Sequence, residues 1–517
     1  MSTKIKDSLH ELIGSLTKTE KRYYKLHATR HLASDDCNMV VLFDYISRQE
    51  VYDEEALIAH FHGKAFLNQF STVKKRLYDQ LLQSLHLFHA NSSVEAQLGR
   101  MLHQATILYE KSLYTQSLRQ LRSLEKIAEK HDLSLILIQS GKLRQRILET
   151  QGYEAEEKAI TELHTDIQQL LAKEQLIHQL WNLKSRVFRH LQTSGIATSE
   201  TGKEKPDQLI RQLPDIGLIE AAQSTEATYL YFHIQAAYQY ALGDFHQSLD
   251  FCEQTIEHLR QHPSFASGRP NILLSVLTNA CYLAETTGQF EKSEQFLRNL
   301  KTIEKEQQPL SEDLQIKLFS SITSIELSLV TLRGDFQAAG KLLAATESGL
   351  EKHGAKIPPL RMAFFHIKLA GIYTGTENYA GALKKINLIL NDYSLDEKEE
   401  LMTAAHLMNV ILHYELRNIS HLPFAIRNAQ KLIKSRNRSN EHQAAFLQTL
   451  LKISKAHELD HAELFSVLFN QLEQIQNKGN TLPISVHFDF PSWIESRIRK
   501  ISLGETIRQK YHFLASA

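Results

Sequence analysis

The pentapeptide His457-Glu458-Leu459-Asp460-His461 has the spacing that can bind zinc. On one continuous helix it sets two imidazoles a turn apart and leaves the glutamate to activate a water. Its own residues argue against that use. Asp460 followed by Glu463 has capping-box spacing and would open the helix of Ala462, Leu464, Phe465 and Leu468 inside the motif. A helix start there destroys the i,i+4 geometry. No third ligand follows in a recognisable context, Glu473 and Glu495 included, so a zinc hydrolase is disfavoured. His27/His31 and His258/His262 repeat the i,i+4 pairing, but each pair lacks two further ligands. Asp35, Asp36 and Cys37 fall past the helix end expected after His31. The chain has no G-x-S-x-G, no P-loop and no G-x-G-x-x-G after a strand. The expectation is a protein that is not an enzyme and that has no metal and no cofactor.

Composition narrows the class. The chain has 517 residues with only 20 Gly and 10 Pro, well below the usual shares of about 7% and 5%. Scarce turn residues argue against sandwiches and barrels. Lys+Arg and Asp+Glu are 59 each, and a formal charge of zero argues against a nucleic-acid or membrane partner for the whole chain. Cys37, Cys252 and Cys281 are odd in number and far apart, which suits a reducing compartment. Residues 1–7 reach charge quickly, without a signal-peptide core, and no apolar run approaches membrane length. The expected location is the cytoplasm. The 26 histidines read as generic polar or half-buried helix residues.

Apolar residues recur with helical period nearly everywhere. Val73, Leu77, Leu81, Leu82, Leu85 and Leu87 form one such stripe, and Leu118, Leu121, Leu124 and Ile127 another. Thr17 to Glu20 spells a second capping box. Alternation is confined to Ile484–Phe490, read as extended, and Ser492 is expected to cap a short helix through Trp493, Ile494 and Ile498. Thr193–Asp207 reads as a long loop or seam, with shorter breaks at Pro263–Pro270 and Lys356–Pro359.

A small-polar-aromatic corner recurs between helices. Gly243-Asp244-Phe245, Gly288-Gln289-Phe290 and Gly334-Asp335-Phe336 are the clearest copies. Glu377-Asn378-Tyr379, Arg417-Asn418-Ile419, Ser112-Leu113-Tyr114 and Gln151-Gly152-Tyr153 are looser ones. Three residues after the corner comes a small residue (Ser248, Ser293, Ala339, Ala382, Ser117), and nine before it another (Ala236, Cys281, Ala370, Ala105). Small residues let two helices approach, and the aromatic plugs the corner. A lone pair cannot bury both faces, so pairs must stack. The spacing is 39–46 residues, except for a gap of 92 between Tyr153 and Phe245. That gap is read as two units with a degenerate corner, their helices including Gln175–Leu191.

This corner pattern, over about residues 95–435, resembles the tetratricopeptide repeat superfamily; a HEAT-like helical stack is the alternative array. The resemblance implies a right-handed α-solenoid whose concave face, lined by the first helix of each pair, binds a peptide or protein. Glu294 and Gly340 stand where that superfamily prefers aliphatic residues.

The N-terminal part admits a second reading. A helix from Glu54 to His62, a turn at Gly63 and a helix from Leu67 to Phe88 resemble a helix-turn-helix, with Asn68, Gln69, Thr72, Lys74, Lys75 and Arg76 on the second helix. Residues 1–90 hold 12 basic against 11 acidic side chains, a poor phosphate binder. The alternative is a helical bundle with Tyr23, Tyr24, Leu42, Phe43, Leu57 and Phe61 in its core. Arg427, Lys431, Lys434, Arg436, Arg438, Arg497, Arg499 and Lys500 make a basic cluster read as a solvated face.

The sequence therefore predicts an all-α chain. A helical module spans 1–92, a solenoid of antiparallel helix pairs spans 93–480 with an irregular loop near 193–208, and a cap burying Trp493 spans 481–517. The expected role is a non-enzymatic protein- or peptide-binding scaffold or adaptor. His233, Tyr240, Tyr282 and Glu285 are the candidate partner-binding residues by repeat position. The alternative is a regulator whose N-terminal module contacts DNA or a second protein.

Overall fold

A computed structural model describes residues 7–516 except 30–33, 91–92, 154–156, 198–199, 307–309, 393, 396–399, 436–440 and 477–486. Among the described residues every regular element is helical. The chain divides into two units, Met1–His178 and Gln179–Ala517.

The first unit opens with α1 (Ser8–Ser15), α2 (Lys18–Thr29), α3 (Ser34–Ile46), α4 (Glu54–His60) and α5 (Phe70–Phe88). Helix α5 packs on α1, α2 and α3. Tyr24, Leu42, Phe43, Leu57 and Phe61 lie in the core as expected, joined by Leu9, Ile13, Leu77 and Leu81. Tyr23 does not: it is half-buried, with its ring 5.1 Å from that of Phe88. Leu82 and Leu87 also leave the expected stripe, 44% and 46% exposed; the 3.6-residue period turns them away from Leu77 and Leu81. Thr17 and Glu20 form the capping box, with N–H···O distances of 2.7 and 3.2 Å. Then come α6 (Val94–Glu110), α7 (Tyr114–Lys130), α8 (Ser134–Thr150) and the 38-residue α9 (Glu157–Ser194), within which the units divide.

The second unit continues with α10 (Glu200–Ile210) and α11 (Ile216–Ala221), followed by helix pairs. These are α12 (Thr225–Leu242) with α13 (Phe245–Gln261) and, after the short α14 (Pro263–Gly268), α15 (Pro270–Thr286) with α16 (Phe290–Glu306). Next are α17 (Glu312–Arg333) with α18 (Gly340–His353), and α19 (Pro359–Gly375) with α20 (Tyr379–Leu390). The last pairs are α21 (Glu400–Glu415) with α22 (Leu422–Ser435), and α23 (Glu441–Ile453) with α24 (His461–Gln476). Helices α25 (Phe490–Arg499) and α26 (Leu503–Ser516) follow. α13, α16, α20 and α22 each touch the next pair's first helix, and α15, α17, α19 and α21 touch in succession. This is the α-solenoid the spacing predicts.

The corners show why the repeat has its residues. Gly243, Gly288 and Gly334 have φ of 82°, 74° and 68°, and Ser112, Glu377 and Arg417 take the same left-handed conformation at 60°, 60° and 56°. The next N–H reaches back to the carbonyl five residues before it, as in Asp244 to Gln239 at 3.0 Å and Asn378 to Tyr373 at 2.8 Å. That bond ends the first helix. The polar residue then starts the second: the Asp244 and Asn378 side chains accept from the N–H groups of Gln247 and Gly381. Two residues thus satisfy both helix ends. The small residue three beyond the corner also bridges the pair. The hydroxyls of Ser117 and Ser248 donate to the carbonyls of Ala105 and Ala236, each at 2.8 Å. These are the two small positions read from the spacing, joined across the pair. A left-handed non-glycine residue costs about 1–2 kcal/mol. Glu377→Gly is therefore expected to stabilise the second unit by about 1 kcal/mol, read as a raised urea midpoint.

Several expectations are corrected. Residues 157–194 form one 38-residue helix, longer than the helices of the later pairs, and it ends at Gly195, left-handed at φ 68°, near the middle of the 92-residue gap. Most of the expected loop near 193–208 is helical too: α9 runs to Ser194 and α10 starts at Glu200, with Pro206 buried inside α10. Tyr153 plugs no corner; it has φ of 58° itself and is 58% exposed. Ile419 is 40% exposed rather than buried in its corner, while Leu422, three residues on, is fully buried. The superfamily's aliphatic position at 294 is Glu because Glu294 pairs with Arg333. Gly340 opens α18 after a 3-10 turn at Phe336–Ala339. Ser492 is not the cap: Asp489 is, accepting from the Ser492 N–H at 3.0 Å. Residues 484–486 lie outside the described residues, and His487 to Asp489 form a turn leading into α25 rather than a strand.

Candidate interaction face

The first helices of the later pairs are buried all round. Along α17, Ser321, Ile322, Thr323, Ser324 and Ile325 are buried consecutively, as are Leu327, Ser328 and Leu329. Five successive residues point in every direction around a helix, so α17 has neighbours on every side. The resemblance implies an open face on this layer; here the face is covered, and the cover is the chain's own C-terminal segment. The His487 ring lies 6.2 Å from that of Phe364 on α19, and Phe488 abuts Gly371. Phe490 meets Phe446 of α23 at 5.6 Å. Trp493 is fully buried against Phe465, Tyr414 and Phe446 at 5.4, 5.9 and 6.2 Å, and its Nε1–H donates to Glu415 at 2.6 Å. The cap expected around Trp493 is thus present, but the segment extends further. Arg508 of α26 donates to the Gly334 carbonyl, 174 residues away, at 3.1 Å.

The four candidate residues are placed unequally. Tyr240 is 40% exposed. His233 is 6% exposed, stacked between Phe188 of α9 and Tyr229 at 5.0 and 5.4 Å. Burial, with Lys184 nearby, pushes its imidazole down to about 3. Tyr282 is half-buried and shares a hydrogen bond with Ser324. The Glu285 carboxylate accepts from Ser328 and Ser293 at 2.7 and 3.2 Å, and burial raises its pKa to about 7. The structure brings Tyr282 and Glu285 onto one polar seam between α15 and α17. Arg361 of α19 extends that seam, donating to the Ser320 and Ser324 hydroxyls at 2.8 Å each.

Sequence reasoning missed Lys368 and His487. Lys368 on α19 is 8% exposed; burial lowers its pKa, and Glu285 counters as the opposing charge. His487 faces it, held down to about 4 by burial and by Lys368. A lysine inside an apolar helix was a readable signal. A second missed group sits on α9 and α12. Trp181 is 51% and Phe188 36% exposed, two turns apart on one helix side. Between them the Lys184 ammonium lies 5.0 Å from the Trp181 ring and 5.5 Å from that of Tyr229.

The motif at 457–461 is broken as its capping spacing predicts: Glu458–Asp460 is a 3-10 turn and α24 begins at His461. Its members face different partners. The His457 ring accepts from the Leu459 N–H, Glu458 pairs with Arg417 at 2.9 Å, and His461 meets the Tyr414 hydroxyl at 3.3 Å. His258 and His262 bond to backbone carbonyls of Thr225 and His258. The side chains of His31, Asp35, Asp36 and Cys37 lie outside the described residues. Among the described residues no group of three or more His, Cys, Asp or Glu is placed to hold a metal.

In the helix-turn-helix-like stretch, Gly63 has φ of 82°, but Ala65–Gln69 is a 3-10 turn and α5 begins at Phe70. Asn68 and Gln69 therefore precede the helix expected to carry them. Asn68, Gln69, Thr72, Lys75 and Arg76 are not buried. Lys74 is bound to Asp7 at 2.6 Å and Glu54 at 3.0 Å. In the basic cluster, Arg427, Lys431 and Lys434 are exposed along α22, while Arg497 and Arg499 pair with Glu415 and Glu495. Arg436 and Arg438 lie outside the described residues.

No helix among the described residues is long and apolar enough to cross a membrane. Comparison with family models and with curated proteins finds no match. A solved structure, the apo form of RapI, aligns with 78% of this chain and 99% of its own at 11% identity, with a TM-score of 0.42. A likeness at that level carries no argument.

Proposed function

We propose that the chain is a non-enzymatic scaffold or adaptor that binds a protein or peptide through its helix-pair stack, in the cytoplasm. We further propose that the pairs are tetratricopeptide-like, since the serine-to-carbonyl bond joins the two small positions that carry the resemblance. The observation that carries the binding reading is the aromatic shelf of Trp181 and Phe188 with Lys184 between them. Tryptophan is among the residues that dominate binding energy at protein interfaces, where phenylalanine is also enriched, and the ammonium between the two rings offers a cation–π contact. Tyr240, the exposed member of the four candidates, adds a further aromatic on α12. The compartment suits Cys252 and Cys281, both buried free thiols.

The test is affinity capture with the full chain against a Trp181→Ala/Phe188→Ala variant, read by quantitative mass spectrometry and matched for folding by circular dichroism. A specific partner retained by the full chain and reduced at least tenfold by the variant is the expected result. Equal capture by both, or capture by neither, defeats the reading.

A further inference from the structure

The C-terminal cover is held by two unequal sets of contacts. The stretch through α25 is anchored by Phe488, Phe490, Trp493 and Ile494, all buried in the large core of the second unit. Helix α26 follows after Lys500–Ser502, a joint in which Lys500 is left-handed at φ 56°. Among the described side chains of α26, Leu503 and Ile507 are its buried hydrophobics, and they join the same core as Trp493 and Ile494. The rest of its hold is specific in kind. Gly504 meets the Gly334 corner, where a β-carbon on residue 504 would lie 2.9 Å from the Gly334 oxygen and 3.1 Å from the Phe336 ring. Arg508 donates to that same Gly334 oxygen at 3.1 Å. The Tyr511 ring lies 4.9 Å from that of Phe290, with the Arg333 guanidinium 5.9 Å from its centre.

Residues 504, 508 and 511 fall at i, i+4 and i+7, one side of a helix. Seven residues of helix span about 10 Å at 1.5 Å per residue, close to the 8–10 Å between packed helices. Helix α26 therefore reads two successive repeat corners, those of Phe290 and Phe336, as a docked helix reads a groove.

We propose that α26 is a built-in ligand of this corner surface, and that a partner helix of the same chemistry displaces it. That chemistry is a glycine, an arginine four residues on and an aromatic three beyond, on the apolar side of an amphipathic helix. The occupant seated in the structure defines the surface's preference. A glycine is required where two backbones meet, the arginine caps a carbonyl, and the aromatic stacks on a corner ring beside a cation. Release of α26 must also break its ties to α25, Lys510 to Asp489 at 3.2 Å and Arg499 to Gln509 at 2.6 Å, while Phe488, Phe490, Trp493 and Ile494 hold α25 in the core. The proposal rests on the binding reading above, but its test uses the chain's own sequence as probe and so does not depend on any partner being found.

The test compares the full-length wild type with two full-length variants, Gly504→Val and Arg508→Ala/Tyr511→Ala. The first pushes α26 off the Gly334 corner, and the second removes its two side-chain holds on the corners without adding atoms. The probe is a labelled synthetic peptide of residues 501–516, followed by fluorescence anisotropy. Both variants are expected to bind it at least tenfold more tightly than the wild type, with faster hydrogen exchange confined to α26, the end of α17 and the Phe336 turn. Should Gly504→Val not fold, the double variant decides. Peptide binding no tighter than wild type overturns the proposal. So does exchange that rises together across α17 to α25, which would make α26 an integral part of the core.

Discussion

Replacing Trp493 by alanine is expected to lower the stability of the second unit by about 5 kcal/mol. Removing a fully buried large aromatic costs about 3–5 kcal/mol in transfer and cavity terms. Trp493 has no exposed surface and lies against three aromatic rings on α21, α23 and α24. The loss does not stop at volume. Its indole N–H is the donor that Glu415 accepts at 2.6 Å, and that carboxylate is buried with its pKa already raised by desolvation. Withdrawing a donor from a buried acceptor adds about 1–3 kcal/mol. Arg497, 3.3 Å from the same carboxylate, keeps part of the compensation. Trp493→Phe keeps most of the apolar volume and loses the donor, so about 2 kcal/mol is expected there. Urea denaturation followed by circular dichroism separates the two variants. Equal midpoints for tryptophan and alanine would show that the cover contributes nothing to holding the unit.

The second large expectation concerns acid. His233 and His487 are held neutral, at about 3 and about 4 against an ordinary value of 6.5, burial being the main cause in each. A base with a depressed folded pKa gives its full contribution above 6.5, and that contribution is lost as the pH falls below 6.5. Between pH 7.5 and 5 each histidine withdraws about 2 kcal/mol. Glu285 acts in the opposite sense. Its folded pKa is raised from 4.5 to about 7, chiefly by burial. It binds a proton in the folded state first, and its contribution is full below 4.5 and lost as the pH rises through about 7. Over the same interval it returns about 2 kcal/mol on acidification. The wild type is therefore expected to lose roughly 2 kcal/mol on going to pH 5. Glu285→Gln should deepen that loss to about 4 kcal/mol, and His233→Phe should nearly abolish it. Stability measured at pH 7.5 and 5 for the three proteins checks the ordering. A Glu285→Gln profile parallel to wild type would remove Glu285 as the offsetting group.

What could be read from the sequence divides by the range of the interactions. The corners at Gly243, Gly288 and Gly334 were legible because a left-handed glycine followed by a polar residue, which at Asp244 caps the next helix, is chemistry within five residues. The same locality exposed the helix start inside the pentapeptide at 457–461. Tyr153 misled because its triplet has the right types while the tyrosine itself takes the left-handed conformation. The 92-residue gap hides its turn because the chain leaves α9 at the left-handed Gly195 with no aromatic residue after it. Ser492 misled as the expected cap because its own N–H is the group that Asp489, three residues earlier, accepts. The cover over the first helices depends on contacts spanning more than a hundred residues, so no local pattern announces its path. One sign was present nonetheless: a stretch such as Ile322 to Val330 is apolar or small on nearly every side, which suits a helix with no solvent face.

The two hydroxyl bonds at Ser117 and Ser248 each close a loop of 12 residues, while the Arg508 bond to Gly334 closes one of 174. Chain entropy must be given up before a distant contact repays it, so short loops close early and long ones late. Each helix hairpin can therefore form by itself, with its corner as the nucleus. The strap to Gly334 joins elements that must already be standing, and it is among the last contacts the folding chain can make.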